Sequence, residues 1–262
     1  MSYQSLILER RGHVAVATLN RPDRLNALDG GLRRESLELA DEILGDDAVW
    51  ALVITGAGRG FCSGADLSGP LPPPAEAQGA ILDEMGWVGR QALAFYQLDK
   101  PVIAAVNGVA AGAGMSLALA CDLRVGGPTA RFKTVFLERS LSPDSGMSFF
   151  LPRIVGYSRA ADLIFTSRDV DAAEAYRIGL LDRLVDDDPV EAAVALAEQI
   201  CALPPVAMRS AKRVLQHNLE AELTEALRYE TAGLGFARKA RNDVAESMAS
   251  FREKRPPRFT GT

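Results

Sequence analysis

Histidine is nearly absent from this chain: His13 and His217 are the only two in 262 residues. A Ser-His-Asp triad and a histidine-built zinc centre therefore explain it poorly, and no metal site is expected. Acid–base chemistry falls mainly to carboxylates, with tyrosine, lysine and cysteine behind them. Cysteine is scarce too. Cys62, Cys121 and Cys201 are far apart and odd in number, which fits a reducing cytoplasm and not a disulfide scaffold. Basic residues are in the minority, 29 Lys+Arg against 34 Asp+Glu for a formal charge of −5, so no nucleic-acid partner is expected. No window reaches the roughly 18 uninterrupted apolar residues of a membrane span. The opening MSYQSLILERRGHV carries charge too early for a signal peptide.

Apolar residues, in contrast, make up 48% of the chain, enough for one large domain or a domain with an appendage. The stretch 106–122, VNGVAAGAGMSLALACD, organises the rest. It starts at the end of an apolar strand over 101–106, turns through Asn107-Gly108, and enters a helix through Gly112-Ala113-Gly114. Leu117, Leu119 and Ala120 keep that helix apolar and mark it as buried. Small residues at a buried helix start leave backbone N–H groups uncovered, which suits an oxygen that carries or develops negative charge. Tight helix–strand packing accounts for the same pattern.

A second corner of this kind follows the apolar run 51–55, ALVIT: the glycine-rich loop GAGRGFCSGADL, 56–67. It lies at a strand end, where open α/β sheets place ligands. It is neither a Walker A loop nor a dinucleotide fingerprint. Cys62 reads as a buried filler, because no histidine or lysine stands near it in sequence. Asp66 reads as a cap or loop brace. Upstream, 5–10 and 13–19 form a hairpin joined at Arg11-Gly12. Arg24 follows the turn 20–23 as a phosphate ligand or a solvated charge, and Asp29 caps a helix over 31–44. The proline-rich stretch 68–78 is irregular, a lid or a tolerated insertion, and leads to a helix interrupted by Gly86 and Gly89. Asp144, in SPDSG, stands where an N-cap belongs, ahead of an amphipathic helix with Met147, Phe150, Leu151 and Ile154 on one face. If Ser145 takes the capping role, Asp144 is left to face a pocket. Helices over 158–165, 171–177, 189–202, 206–219 and 222–237 follow, then a basic tail over 250–259.

Five segments in this order resemble the crotonase, or enoyl-CoA hydratase/isomerase, superfamily: NRPDRLNAL (20–28), GRGFCSGADL (58–67), KPVIAAVNGVAAGAGMSLALACD (100–122), PDSGMSFFLPRIVG (143–156) and FREKRP (251–256). The resemblance runs essentially from end to end. It implies an α/β fold, a crotonase-like spiral of ββα units over 1–195 with a C-terminal helical trimerisation region over 196–262. It implies a homotrimer or a dimer of trimers and an acyl-CoA thioester as ligand, with coenzyme A part of the substrate and no separate cofactor. The N–H groups of Ala65 and Ala113 would form an oxyanion hole for the thioester carbonyl. Arg24, Ala27, Ser63, Asp66 and Leu67 match positions that line the CoA site. Phe251 and Lys254 match a tail element that approaches CoA, in some members from a neighbouring subunit.

Departures from the family pattern bear on the reaction. Hydratases carry two glutamates at positions that align here with Ser116 and Phe136, so water addition loses both acid–base groups. Glu138 is close in sequence, but alternation or helical twist turns it elsewhere. Asp144 in PDSG resembles the ring-1,2-epoxyphenylacetyl-CoA isomerase and enoyl-CoA isomerase branch, where the aspartate shuttles the proton. Phe136, Phe149, Phe150, Met85 and Trp87 are candidates for an apolar acyl pocket, with core packing the other role open to each. Two further readings stand beside the isomerase: an acyl-CoA-binding homologue with little catalysis, and an aryl-CoA dehalogenase, which would use the aspartate as nucleophile but places a tryptophan where this chain has Phe136.

Overall fold

Alternation of side chains drives the first unit. Strands β1 (Leu6–Arg11) and β2 (Val14–Leu19) pair antiparallel, from Leu6 opposite Leu19 to Arg11 opposite Val14. The reversal is Gly12-His13, one residue later than the sequence suggests, with Gly12 at φ +59° where a side chain would be strained. The structure is a computed structural model of the chain and describes residues 3–69 and 77–262. Much of the proline-rich stretch read as a lid or insertion lies at 70–76, outside the described residues.

Helix α1 (Gly30–Gly45) starts where expected, with the Asp29 carboxylate accepting from the Leu32 N–H at 2.8 Å. The chain then runs through β3 (Ala51–Gly56), β4 (Gly60–Cys62), α2 (Gln78–Ile81), α3 (Gly86–Tyr96), β5 (Val102–Val106), β6 (Val109–Ala111) and α4 (Ala113–Ala120). Next come β7 (Leu123–Gly126), β8 (Arg131–Lys133), α5 (Met147–Val155), α6 (Tyr157–Thr166), β9 (Val170–Asp171), α7 (Ala172–Arg177) and β10 (Arg183–Leu184). Four helices close the chain: α8 (Pro189–Cys201), α9 (Pro205–Asn218), α10 (Leu223–Ala237) and α11 (Arg241–Glu253). Three strand pairs share one logic. β3, β5 and β7 enter a large sheet of order β1-β2-β3-β5-β7-β10, and their followers β4, β6 and β8 enter a small sheet of order β4-β6-β8-β9. This is the repeated ββα arrangement that the resemblance implies. The chain crosses from the large sheet to the small one at the ends of β3 and β5, and those crossings build the site.

Strands buried on both faces need continuous apolar runs. Val14, Val16, Val53, Ile103 and Ala105 meet Ala193, Val194 and Ala197 of α8. Their alternates Ala15, Ala17, Leu52, Ile54, Val102 and Ala104 face α1 and α4. Every residue of α4 is buried. Helix α8 is continuous through residue 195, so a division drawn there falls within a helix packed on the sheet.

Some expectations are corrected. The glycine-rich segment after β3 is not one loop, because it contains β4, paired with β6. Gly89 does not interrupt a helix; it lies inside α3, and the break precedes Gly86. Residues 241–253, not read as a helix, form α11. Among the described residues no single helix is long and apolar enough to cross a membrane.

Candidate functional site

Two backbone corners meet here. At the first, the Leu28 N–H donates to Gly64 O at 2.8 Å and the Asp66 N–H donates to Leu28 O at 3.2 Å. This parallel bridge between Leu28 and Ala65 turns the Ala65 N–H away from Leu28. At the second, Gly112 adopts φ +50° and donates its N–H to Lys133 O at 3.0 Å, which delivers Ala113 as the first residue of α4. N–H groups of a first helical turn have no partner inside the helix. Among the described residues, neither the Ala65 nor the Ala113 N–H donates a hydrogen bond.

Glycine lets the corners touch. A Cβ on Gly64, at φ +96°, would sit 2.8 Å from Ala111 O and 3.4 Å from Ala113 N. A Cβ on Gly114 would sit 2.7 Å from the carbonyl carbon of Cys62. Both corners open into a cleft of about 290 Å³ whose wall includes Gly64, Ala65, Gly112, Ala113, Trp87, Phe136 and Asp144.

Asp144 does not cap α5. Ser145 (φ +54°) and Gly146 (φ +82°) form a left-handed pair between it and the helix, and α5 begins without a side-chain cap. Neither expected cap therefore forms, and Asp144 lies half-buried in the cleft wall. Its carboxylate accepts from the Ser145 hydroxyl at 2.9 Å, and among the described residues it has no ion pair within 4.0 Å. Burial pushes its pKa above the ordinary carboxylate value, against the opposing pull of that hydroxyl and of the Arg33 charge. The Ser116 hydroxyl donates to Asp144 O at 3.4 Å, so Ser116 supports the turn from behind.

Asp66, the other carboxylate in the wall, is engaged. It accepts from the Ser68 hydroxyl at 2.6 Å, the Ser68 N–H at 3.0 Å and the Arg21 guanidinium at 2.9 Å. The Ser68 contacts, then Arg21, hold it well below the ordinary range. It is the loop brace that its sequence position suggests. Arg24, Ala27, Ser63 and Leu67 also line the cleft, with Arg24 and Leu67 exposed and the Ser63 hydroxyl donating to Arg24 O at 3.2 Å. Glu138 points away, ion-paired to Lys133 at 2.8 Å. Cys62 is fully buried and its thiol is pushed up to about 12, as a filler's would be.

Of the aromatic candidates, Trp87 and Phe136 line the cleft. Phe149 and Phe150 pack against Tyr96 instead, at 6.1 and 5.3 Å between centroids, and Met85 is exposed away from the wall. Phe251 is 85% exposed, and neither it nor Lys254, the left-handed residue after α11, belongs to this wall. Sequence reading passed over Arg139 and Leu141, which line the cleft, and Arg33, whose guanidinium lies 3.7 Å over the Trp87 ring. Among the described residues, no three His, Cys, Asp or Glu side chains gather to hold a metal.

The sequence model of the family described as Enoyl-CoA hydratase/isomerase matches residues 9–262. The chain is 37% identical over 261 residues to a probable enoyl-CoA hydratase of Mycobacterium bovis, covering 99% of both proteins. It is 35% identical over 258 residues to the short-chain-enoyl-CoA hydratase of Clostridium acetobutylicum, covering 97% of both. The crystal structure of an enoyl-CoA hydratase from Bacillus anthracis superposes with a TM-score of 0.91 at 30% identity, covering 99% of this chain and all of that one. Matched along nearly its whole length by the family's model and by such relatives, the chain belongs to the enoyl-CoA hydratase/isomerase, or crotonase, family.

Proposed function

We propose that the protein is an acyl-CoA isomerase that moves a double bond, or rearranges a ring epoxide, through a thioester enolate. One observation carries the reading. Of the two carboxylates that the described residues place in the cleft wall, Asp66 is ion-paired and Asp144 is without an ion pair beside two unused backbone donors. A thioester α-carbon is a weak acid. The Ala65 and Ala113 N–H groups, aimed at the carbonyl oxygen, would hold the enolate oxygen, each for about 3 kcal/mol. Asp144 takes the proton from carbon, the electron pair moves into the enolate, and the same carboxyl returns the proton further along. Desolvation makes its carboxylate a stronger base than an exposed aspartate. Buried Ser116 and Phe136 put no titrating group at the two positions a hydratase uses.

In this reading the acyl group lies against Trp87 and Phe136. Arg24, Ala27, Ser63, Asp66 and Leu67 border the CoA portion. Phe251 and Lys254, exposed in the single chain, serve a neighbouring subunit's CoA in a trimer or dimer of trimers. Coenzyme A arrives as part of the substrate and no separate cofactor takes part.

The test is incubation with 3-enoyl-, 2-enoyl- and phenylacetyl-type thioesters in deuterated water, read by mass spectrometry. Deuterium uptake or double-bond movement that disappears in Asp144→Asn is the expected result. Net hydration of 2-enoyl-CoA would refute it in favour of the activity for which the relatives are named. Binding without exchange across the panel would also count against it, favouring an acyl-CoA-holding protein.

A further inference from the structure

Arg33 is the one guanidinium near the cleft that is half-buried and still has no salt bridge within 4.0 Å among the described residues. Burying such a charge is costly unless its donors and its face are used. Its partners are unusual. The guanidinium carbon lies 3.7 Å from the centre of the Trp87 ring, stacked as a cation on a π face. Its Nε–H donates to Leu28 O at 2.9 Å. That carbonyl is the one that accepts from the Asp66 N–H and so fixes the Ala65 corner. The third relation is to Asp144, where the Arg33 charge favours the carboxylate.

We propose that Arg33 is a positioning residue of this site, joining the Ala65 corner and the Trp87 wall into one unit whose charge acts on Asp144, a role that rests on the isomerase reading above. Three elements converge on it: α1 supplies the guanidinium, the Leu28–Ala65 bridge its acceptor, and α3 the indole. The charges around it are few. Asp29, Asp66 and Asp144 face Arg33. Around Asp144 stand Arg33 and the Ser145 hydroxyl, while Arg24, Asp66 and Arg139 lie elsewhere in the same wall. Of these, Arg33 is the charge that opposes the effect of burial on Asp144. A neutral side chain at 33 leaves burial opposed only by Ser145, so Asp144 titrates higher and the indole loses its clamp.

The test compares Arg33→Met, Arg33→Gln and Arg33→Lys in the full chain, each checked for folding by circular dichroism. Asp144 is titrated by carboxyl-carbon NMR, assigned with Asp144→Asn. Trp87 is read by iodide quenching in a Trp50→Phe background, because Trp50 stacks on His13 and is the only other tryptophan. The neutral variants are expected to move the Asp144 titration upward and to make Trp87 more accessible to iodide. Arg33→Lys restores the charge without the planar stack, so it brings the titration back toward wild type and leaves Trp87 accessible. The proposal falls if Asp144 titrates unchanged in whichever neutral variant folds, or if Trp87 quenching is the same in all. Neither readout depends on turnover. A wild type that exchanges no acyl-CoA proton would remove the isomerase reading while these measurements still decide what Arg33 does.

Discussion

Gly64→Ala drives a methyl group between the two donor corners. Two costs can be worked out separately. At φ +96° an alanine is strained wherever it sits, at about 1–3 kcal/mol. Its Cβ would also lie 2.8 Å from Ala111 O, which must retreat to about 3.4 Å, an opening of roughly 0.6 Å, for ordinary contact. Overpacking of that kind costs a further ~1–3 kcal/mol. Ala111 cannot yield freely, because β6 is paired with both β4 and β8. Ala113 N is 3.4 Å from the new methyl, so the distortion falls on the donors themselves. Loss of one such donor lowers turnover by about 10²–10³-fold, and a displacement of about 1 Å alone can cost ~10²-fold. Gly12→Ala is the control: φ +59° with nothing within 4 Å of its Cβ, at a hairpin reversal that is not part of the cleft wall. The assay is deuterium exchange into acyl-CoA together with thermal melting. Gly64→Ala should melt below Gly12→Ala and lose exchange by at least tenfold, while Gly12→Ala keeps wild-type exchange. Equal melting and equal exchange in the two variants would refute the idea that close approach at Gly64 sets the donor pair.

Asp144→Asn should lower exchange by ~10²–10⁴-fold and leave acyl-CoA binding intact; undiminished turnover would exclude Asp144 as the base. The same variant has a definite sign in stability. Burial raises the folded-state pKa, so the contribution of Asp144 is fully present below the unfolded value of about 3.9 and is lost as pH rises through the folded one. Asp144→Asn is therefore expected to melt above wild type at pH 7, with the gap closing toward pH 4. Asp66 has the opposite sign, since Ser68 and Arg21 depress its pKa. Asp66→Asn should melt below wild type at pH 7, and the difference should shrink as pH falls through the folded value. Cys62 and Cys121, buried with thiols pushed up to about 12, should resist a thiol-specific disulfide reagent at pH 8 until the protein unfolds; rapid native labelling of Cys62 would contradict its role as a buried filler.

Much of the large sheet could be read from the chain because its strands are long enough to show an apolar run. ALVIT at 51–55 and the strand before Asn107 needed no tertiary information. The small sheet was not readable, because β4, β6 and β8 have three residues each, shorter than any periodicity that separates strand from loop. Helix α11 was missed for a different reason: RNDVAESMASFRE offers few apolar residues to mark a buried face. Ala65 and Ala113 were named as donors only through the resemblance, since small residues at a strand end and a helix start fit tight packing equally well. Side chains that depend on other elements were harder. Asp144 was ambiguous between cap and cleft until the left-handed Ser145-Gly146 pair separated it from α5. Arg33 carried no local signal, because its role arises where α3 crosses α1 and puts Trp87 over the guanidinium.

Whole-chain similarity and reaction type rest on different residues. Identity of 37% over 261 residues is a property of the whole chain. In the proposed reading, hydration and isomerisation would share the donors at Ala65 and Ala113 and diverge only in how protons and water are handled. That divergence needs two or three side chains, too few to register in an identity over a whole chain. At the positions that matter here, one residue is a buried serine bonded to the Asp144 carbonyl and another is a buried phenylalanine in the cleft wall. Neither can activate water. In that reading a proton leaving the substrate has, among the described residues of the wall, one carboxylate without an ion pair to reach, and that carboxyl gives it back. In the proposed reading the donor pair and Asp144 support an isomerisation, while a hydration would also need a second group to activate water, which Ser116 and Phe136 do not offer.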